Sequence, residues 1–85
     1  MKSGTAKDSF LTPGEVDPRH FELLLEGTSI RAQPLIDALR EHLVNGVKAS
    51  EAWTKYGVNM SQFSRRLAVL RKESQRAAEL SKFYL

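Results

Sequence analysis

The stretch from Gln62 to Arg76 carries the side chains best suited to gripping a polyanion. Arg65 can donate two parallel hydrogen bonds to a guanine edge, and Gln62 can pair in the same way with adenine. Arg66 and Lys72, with Lys48 and Lys55 upstream, can neutralise phosphates. Asn59, Ser61 and Ser64 add short polar groups and complete the candidate set of DNA contacts. Such chemistry needs a helix with two sides, one buried against a scaffold and one open toward phosphates and base edges. On a wheel of about 100° per residue, Ser61, Arg65, Ala68, Lys72 and Arg76 fall outward, Phe63 inward, and Gln62 and Arg66 on one flank. A helical hairpin with a solvated charged face divides in the same way. Two classes therefore stand side by side: a DNA-binding module, and a protein-interaction module that meets an acidic partner without DNA.

The elements that must position these groups are legible from Lys48 to Leu70 as a short helix, a glycine turn and a longer helix. Ser50 is the expected N-cap of the short helix, whose apolar side is Ala52, Trp53 and Tyr56. Gly57 stops it where a left-handed residue is needed. Asn59 or Ser61 can cap the longer helix, in which Met60, Phe63, Leu67 and Leu70 make one apolar stripe. This is the grammar of a helix-turn-helix, with Trp53, Tyr56, Phe63 and Leu67 as its expected packing centre. Two positions depart from the general motif. Trp53 stands four before the turn glycine, where a small residue is usual, and Arg66 stands where an apolar one is common, so looser or rotated packing of the two helices is expected.

Upstream, Asp17-Pro18 is a strong helix start, an N-cap followed by the imino acid that suits the first position, and Phe21, Leu24 and Leu25 give that helix a buried side ending near Gly27. Thr28 or Ser29 can cap a second helix running to Asn45, with Pro34 in its first turn and Gly46 as terminator. Its apolar face is Leu35, Ile36, Leu39, Leu43 and Val44. The expected fold is all-α, a small bundle of four helices near residues 18–26, 30–45, 49–56 and 60–82. Residues 1–16 are expected as a flexible N-terminal arm, and 17–85 as the helix-turn-helix domain.

Composition bounds the function. Eighty-five residues bury a modest core and no enclosed catalytic cleft. No serine sits in a nucleophile-elbow setting, the glycines form no phosphate-cradling loop, and no enzymatic activity is expected. With no cysteine, and with His20 and His42 on different helices and read as surface or boundary residues, neither a metal nor another cofactor is implied, nor a small-molecule substrate. No apolar run approaches the ~20 residues that span a bilayer, and the first residues lack the apolar core of a secretory signal, so a cytoplasmic setting without membrane contact is expected. Residues 1–45 hold five basic and seven acidic side chains, a net of −2, whereas residues 46–85 hold eight and three, a net of +5. The positive charge thus travels with the candidate DNA-binding half.

Specificity requires more than one copy. A single recognition helix makes a few base contacts worth ~1–3 kcal/mol each, short of the ~4–10 kcal/mol that separates specific from random DNA. Phe10 and Leu11 near one end, and Phe83, Tyr84 and Leu85 at the other, are apolar groups that the bundle does not obviously need, and they are the expected contacts of a homodimer or higher homo-oligomer.

Thr28-Ser29-Ile30, the L-x-x-x-L-V-N-G run from Leu39, E-A-W-x-K-Y-G-V-N from Glu51 and Q-F-S-R-R-L from Gln62 resemble the PapB-type regulators of fimbrial adhesin biosynthesis. The resemblance spans roughly Phe21 to Leu70 and is most specific from Lys55 to Ser64. The same stretch is more loosely similar to plasmid repressors of the TrfB and KorA type. Both groups are bacterial helix-turn-helix transcription regulators. The PapB-type resemblance implies control of an adhesin operon by oligomeric binding to repeated AT-rich sites, with minor-groove sensing, whereas the general motif implies the major groove.

Overall fold

The structure, a computed structural model, describes residues 11–81. Four helices follow in order: α1 (Pro18–Glu26), α2 (Gln33–Leu43), α3 (Ala49–Lys55) and α4 (Met60–Ser81). Asp17 starts α1 as expected, its carboxylate accepting from the Arg19 N–H at 2.8 Å while Pro18 takes the first helical position. Helix α2 starts three residues later than its sequence suggests. The Thr28 hydroxyl does not cap it but donates to the Leu25 carbonyl at 2.8 Å and accepts from the Ile30 N–H at 3.3 Å, which commits it to the preceding turn. Ala32 is the cap residue instead, and Pro34 lies in the first turn, where its missing N–H costs nothing.

Helix α2 ends at Leu43, and Gly46 takes φ +78° in the connection to α3. Lys48, not Ser50, is the cap residue of α3, with no side-chain bond to its free N–H groups. Gly57 has the expected left-handed φ of +67°. Asn59 is the cap of α4: its side-chain oxygen accepts from the N–H groups of Ser61 at 2.8 Å and Gln62 at 3.2 Å.

One core joins the elements. Phe21 and Leu24 of α1, Leu35, Ile36, Ala38, Leu39 and Leu43 of α2, Ala52 of α3, and Phe63, Leu67 and Leu70 of α4 are buried together with Leu11, Val16 and Ile30. Helix α4 packs against the other three, and α2 packs against α3 and α1. The packing centre differs from the expected one. Phe63 and Leu67 belong to it, but Trp53 and Tyr56 are half-buried at its edge, and the largest fully buried side chains are Phe21, Phe63, Leu11, Leu39, Leu43 and Leu70. Met60, at the first position of α4, is 57% exposed. The buried stripe runs instead through Phe63, Leu67, Leu70 and Ser74, a three- and four-residue alternation that keeps one side of a long helix against its neighbours.

Two further expectations are corrected. Residues 11–16 are part of the folded body and not of an arm. The Leu43 carbonyl accepts from the N–H groups of Gly14 at 2.9 Å and Val16 at 3.2 Å, and Leu11 and Val16 are buried. Leu11 therefore fills the core of its own chain and is not an exposed group, because so small a domain needs apolar cover from every segment available. Phe10, Phe83, Tyr84 and Leu85 lie outside the described residues. His42 is buried, whereas its sequence position suggested surface or boundary. Its Nδ1–H donates to the Val47 carbonyl at 2.8 Å, and its ring meets Phe63 edge-on with centroids 5.8 Å apart.

Candidate nucleic-acid interface

Helix α4 exposes Ser61, Gln62, Ser64, Arg65, Arg66 and Lys72 because its opposite side is committed to the core through Phe63, Leu67 and Leu70. Asn59, Gln62, Arg65 and Arg66 line one shallow cleft of about 410 Å³ at the start of the helix. Asn59 is fixed there by its capping bonds. Gln62, Arg65 and Arg66 make no side-chain hydrogen bond or ion pair among the described residues, so their donors face solvent. A guanidinium held this way offers a planar fork for phosphate or guanine, and the amide offers a donor and an acceptor for adenine.

Ser64 and Lys72 lie in a second hollow of about 350 Å³, further along α4, that Ala68, Val69, Arg71 and Gln75 also line. Ser61 stands exposed at the first turn. Lys48 is exposed at the start of α3 and is not among the residues of either hollow. Lys55 is placed differently from the rest. Its ammonium is 3.6 Å from Glu41 of α2 and 5.4 Å from the centre of the Tyr56 ring, and the Tyr56 hydroxyl donates to the same Glu41 oxygen at 3.1 Å. Lys55 is thus partly neutralised before any ligand arrives. Only the fold brings Glu41 beside residues 14 and 15 positions away.

The remaining arginines divide by role. Arg40 donates to Glu22 at 2.7 Å and Asp37 at 3.2 Å and lies over the Phe21 ring, which ties α2 to α1 and removes it from the candidate surface. Arg76, expected outward, is exposed but pairs with Glu73 at 3.5 Å. The two departures from the general motif now have positions. Trp53 does not enter the centre but meets Phe63 edge-on, and Arg66 is exposed in the cleft. Among the described residues no group of three or more His, Asp or Glu side chains can hold a metal ion. No helix there is long and apolar enough to cross a membrane.

Comparison with known proteins agrees with the resemblance carried by the motifs. The family described as adhesin biosynthesis transcription regulatory protein, PapB, matches residues 2–84. The chain is 35% identical to the major pilus subunit operon regulatory protein PapB of Escherichia coli, over 92% of this chain and 75% of that one. It is 34% identical to the regulatory protein FanB of Escherichia coli, over 84% of this chain and 72% of the other. The crystal structure of Escherichia coli FocB superimposes with a TM-score of 0.82 at 26% identity, covering 100% of both chains.

Proposed function

The chain belongs to the PapB family of adhesin biosynthesis transcription regulatory proteins, which are not enzymes, and from that membership we propose that it regulates a fimbrial adhesin operon by binding double-stranded DNA through the outer side of α4. The observation that carries this reading is the cleft of Asn59, Gln62, Arg65 and Arg66, in which three long polar side chains have no partner among the described residues. Gln62 and Arg65 read base edges. Arg66, Lys72, Lys48 and Lys55 hold phosphates, with Ser61 and Ser64 beside them. The net of +5 over residues 46–85 supports a polyanionic partner.

Binding by two or more copies supplies the selectivity that one helix lacks, through Phe10 near one end and Phe83, Tyr84 and Leu85 at the other. Repeated AT-rich sites suit such an assembly.

Fluorescence anisotropy on mixed genomic fragments at two salt concentrations tests the reading. DNA binding that weakens steeply with salt and retains a preferred sequence is expected. Absence of DNA binding, with capture of an acidic protein instead, overturns it in favour of the interaction module.

A further inference from the structure

Helix α3 is short and buries little of itself. It is seven residues long, only Ala52 is fully buried, and its starting N–H groups have no side-chain cap. A helix this short is marginal without tertiary support. Its orientation is set by its contacts with Phe63 and Glu41 and by the connection before it, and that connection is pinned from several sides. The Val47 N–H donates to the Glu41 carbonyl at 3.0 Å, and the Val47 carbonyl accepts from His42. Residues 11–16 then close over the same place. Two of their N–H groups converge on the Leu43 carbonyl, one of those left free at the end of α2. Gly14 and Gly46, both at positive φ, approach so closely that a Cβ built on Gly14 would lie 3.1 Å from the Gly46 Cα.

Leu11 anchors this strap at some cost. It is 1% exposed and adopts φ +58°, a left-handed conformation that a branched side chain rarely takes. A strained residue persists only where its surroundings hold it there, here by burying the side chain completely.

We infer that residues 11–16 are a positioning strap, in which Leu11 and Gly14 fix the connection from Leu43 to Lys48 and so set the angle at which α3 presents α4 to DNA. Neither residue reaches the candidate DNA surface; both act through the Gly46 connection. The inference rests on the proposed function for its consequence and on the fold for its mechanism, so two measurements separate them.

Hydrogen exchange on the full-length chain comes first, comparing wild type with Leu11→Ala, Gly14→Ala and, as a control of matched stability loss, Leu24→Ala. With the strap released, the amides of Val47 and of α3 are expected to exchange at least tenfold faster, while those of α1 keep their protection. In Leu24→Ala the loss is expected in α1 instead. Unchanged protection of α3 in both strap variants overturns the proposal whatever the chain does with DNA. The second measurement is anisotropy with the sequence that wild type prefers and with a scrambled duplex. The strap variants are expected to lose roughly tenfold in the ratio of the two affinities, the scale of one misplaced base contact. Leu24→Ala is expected to keep the ratio. An equal loss of selectivity in Leu24→Ala reduces the strap to ordinary stability and overturns its positioning role. If wild type binds neither duplex, the DNA reading fails while the exchange result still decides the strap.

Discussion

The indole of Trp53 meets the ring of Phe63 edge-on, with centroids 5.4 Å apart and planes at 63°. On another side Phe63 is met by His42, so a single buried ring joins α2, α3 and α4. Phe63→Ala is therefore expected to destabilise the fold by about 3–5 kcal/mol, a large share of a small domain's stability. Denaturant unfolding followed by Trp53 fluorescence measures it. A loss below about 1 kcal/mol would show that the aromatic junction is dispensable.

Arg65 and Lys72 differ in what they can recognise. Lys72→Ala is expected to weaken binding to all sequences about equally and to lower the salt slope by roughly one. Arg65→Ala is expected to relax preference at one base pair, by about 1–3 kcal/mol of discrimination. Identical sequence profiles for the two variants in a binding selection would contradict these roles.

Glu41 restrains Lys55. In Glu41→Gln the amide oxygen can still accept from the Tyr56 hydroxyl, but the charge that holds Lys55 is gone. Binding to every DNA sequence is expected to tighten, with a salt slope steeper by up to about one. Stability should change by less than about 1 kcal/mol, because the lysine side chain is 60% exposed and such pairs are weak. Titration at several salt concentrations checks this, and an unaltered slope would mean that Lys55 is already available to DNA in the wild type.

Gly57 and Gly46 share a backbone conformation but not an environment. A Cβ on Gly57 meets nothing within 4 Å, so Gly57→Ala is expected to cost only the left-handed penalty of about 1–2 kcal/mol, and Gly57→Asn less. At Gly46 a Cβ would also press on Gly14 at 3.3 Å, and Gly46→Ala should cost more. Thermal unfolding of the three variants orders them, and equal values for the two alanines would remove the significance of the glycine contact.

Deleting residues 81–85 is expected to leave the helical circular dichroism nearly intact while lowering the mass in light scattering. DNA affinity should fall by far more than removal of the single charge of Lys82 explains. A wild-type monomer at tens of micromolar, an order-of-magnitude range for modest interfaces, that binds DNA without cooperativity would defeat the oligomer proposal.

Much of this fold could be read directly from local chemistry. Asp17-Pro18, Gly57 and Asn59 act within a few residues of themselves, and each does in the structure what its type suggests. The partners of Leu11, His42 and Glu41 could not be found in the same way. Leu11 is buried in a strap whose Gly14 and Val16 N–H groups reach the Leu43 carbonyl, contacts across nearly thirty positions. Thr28 had two available roles, cap or turn, and its hydroxyl is bonded within the turn, to the Leu25 carbonyl and the Ile30 N–H. The exposed side of α4 was legible because helical periodicity alone separates Arg65 from Phe63. The restraint on Lys55 was not, since it depends on which carboxylate the bundle brings alongside.

The separation of charge across the core has a kinetic meaning. Helix α4 turns Phe63, Leu67 and Leu70 toward the core and Arg65, Arg66 and Lys72 to solvent, while Glu22, Glu26, Asp37 and Glu41 lie on α1 and α2. The molecule is thus an electric dipole with its positive pole toward α4, and on the proposed DNA reading the field near a duplex would exert a torque on it before contact. Approach to DNA with the wrong side foremost would then be opposed, fewer collisions would be wasted, and added salt should act mainly by slowing capture.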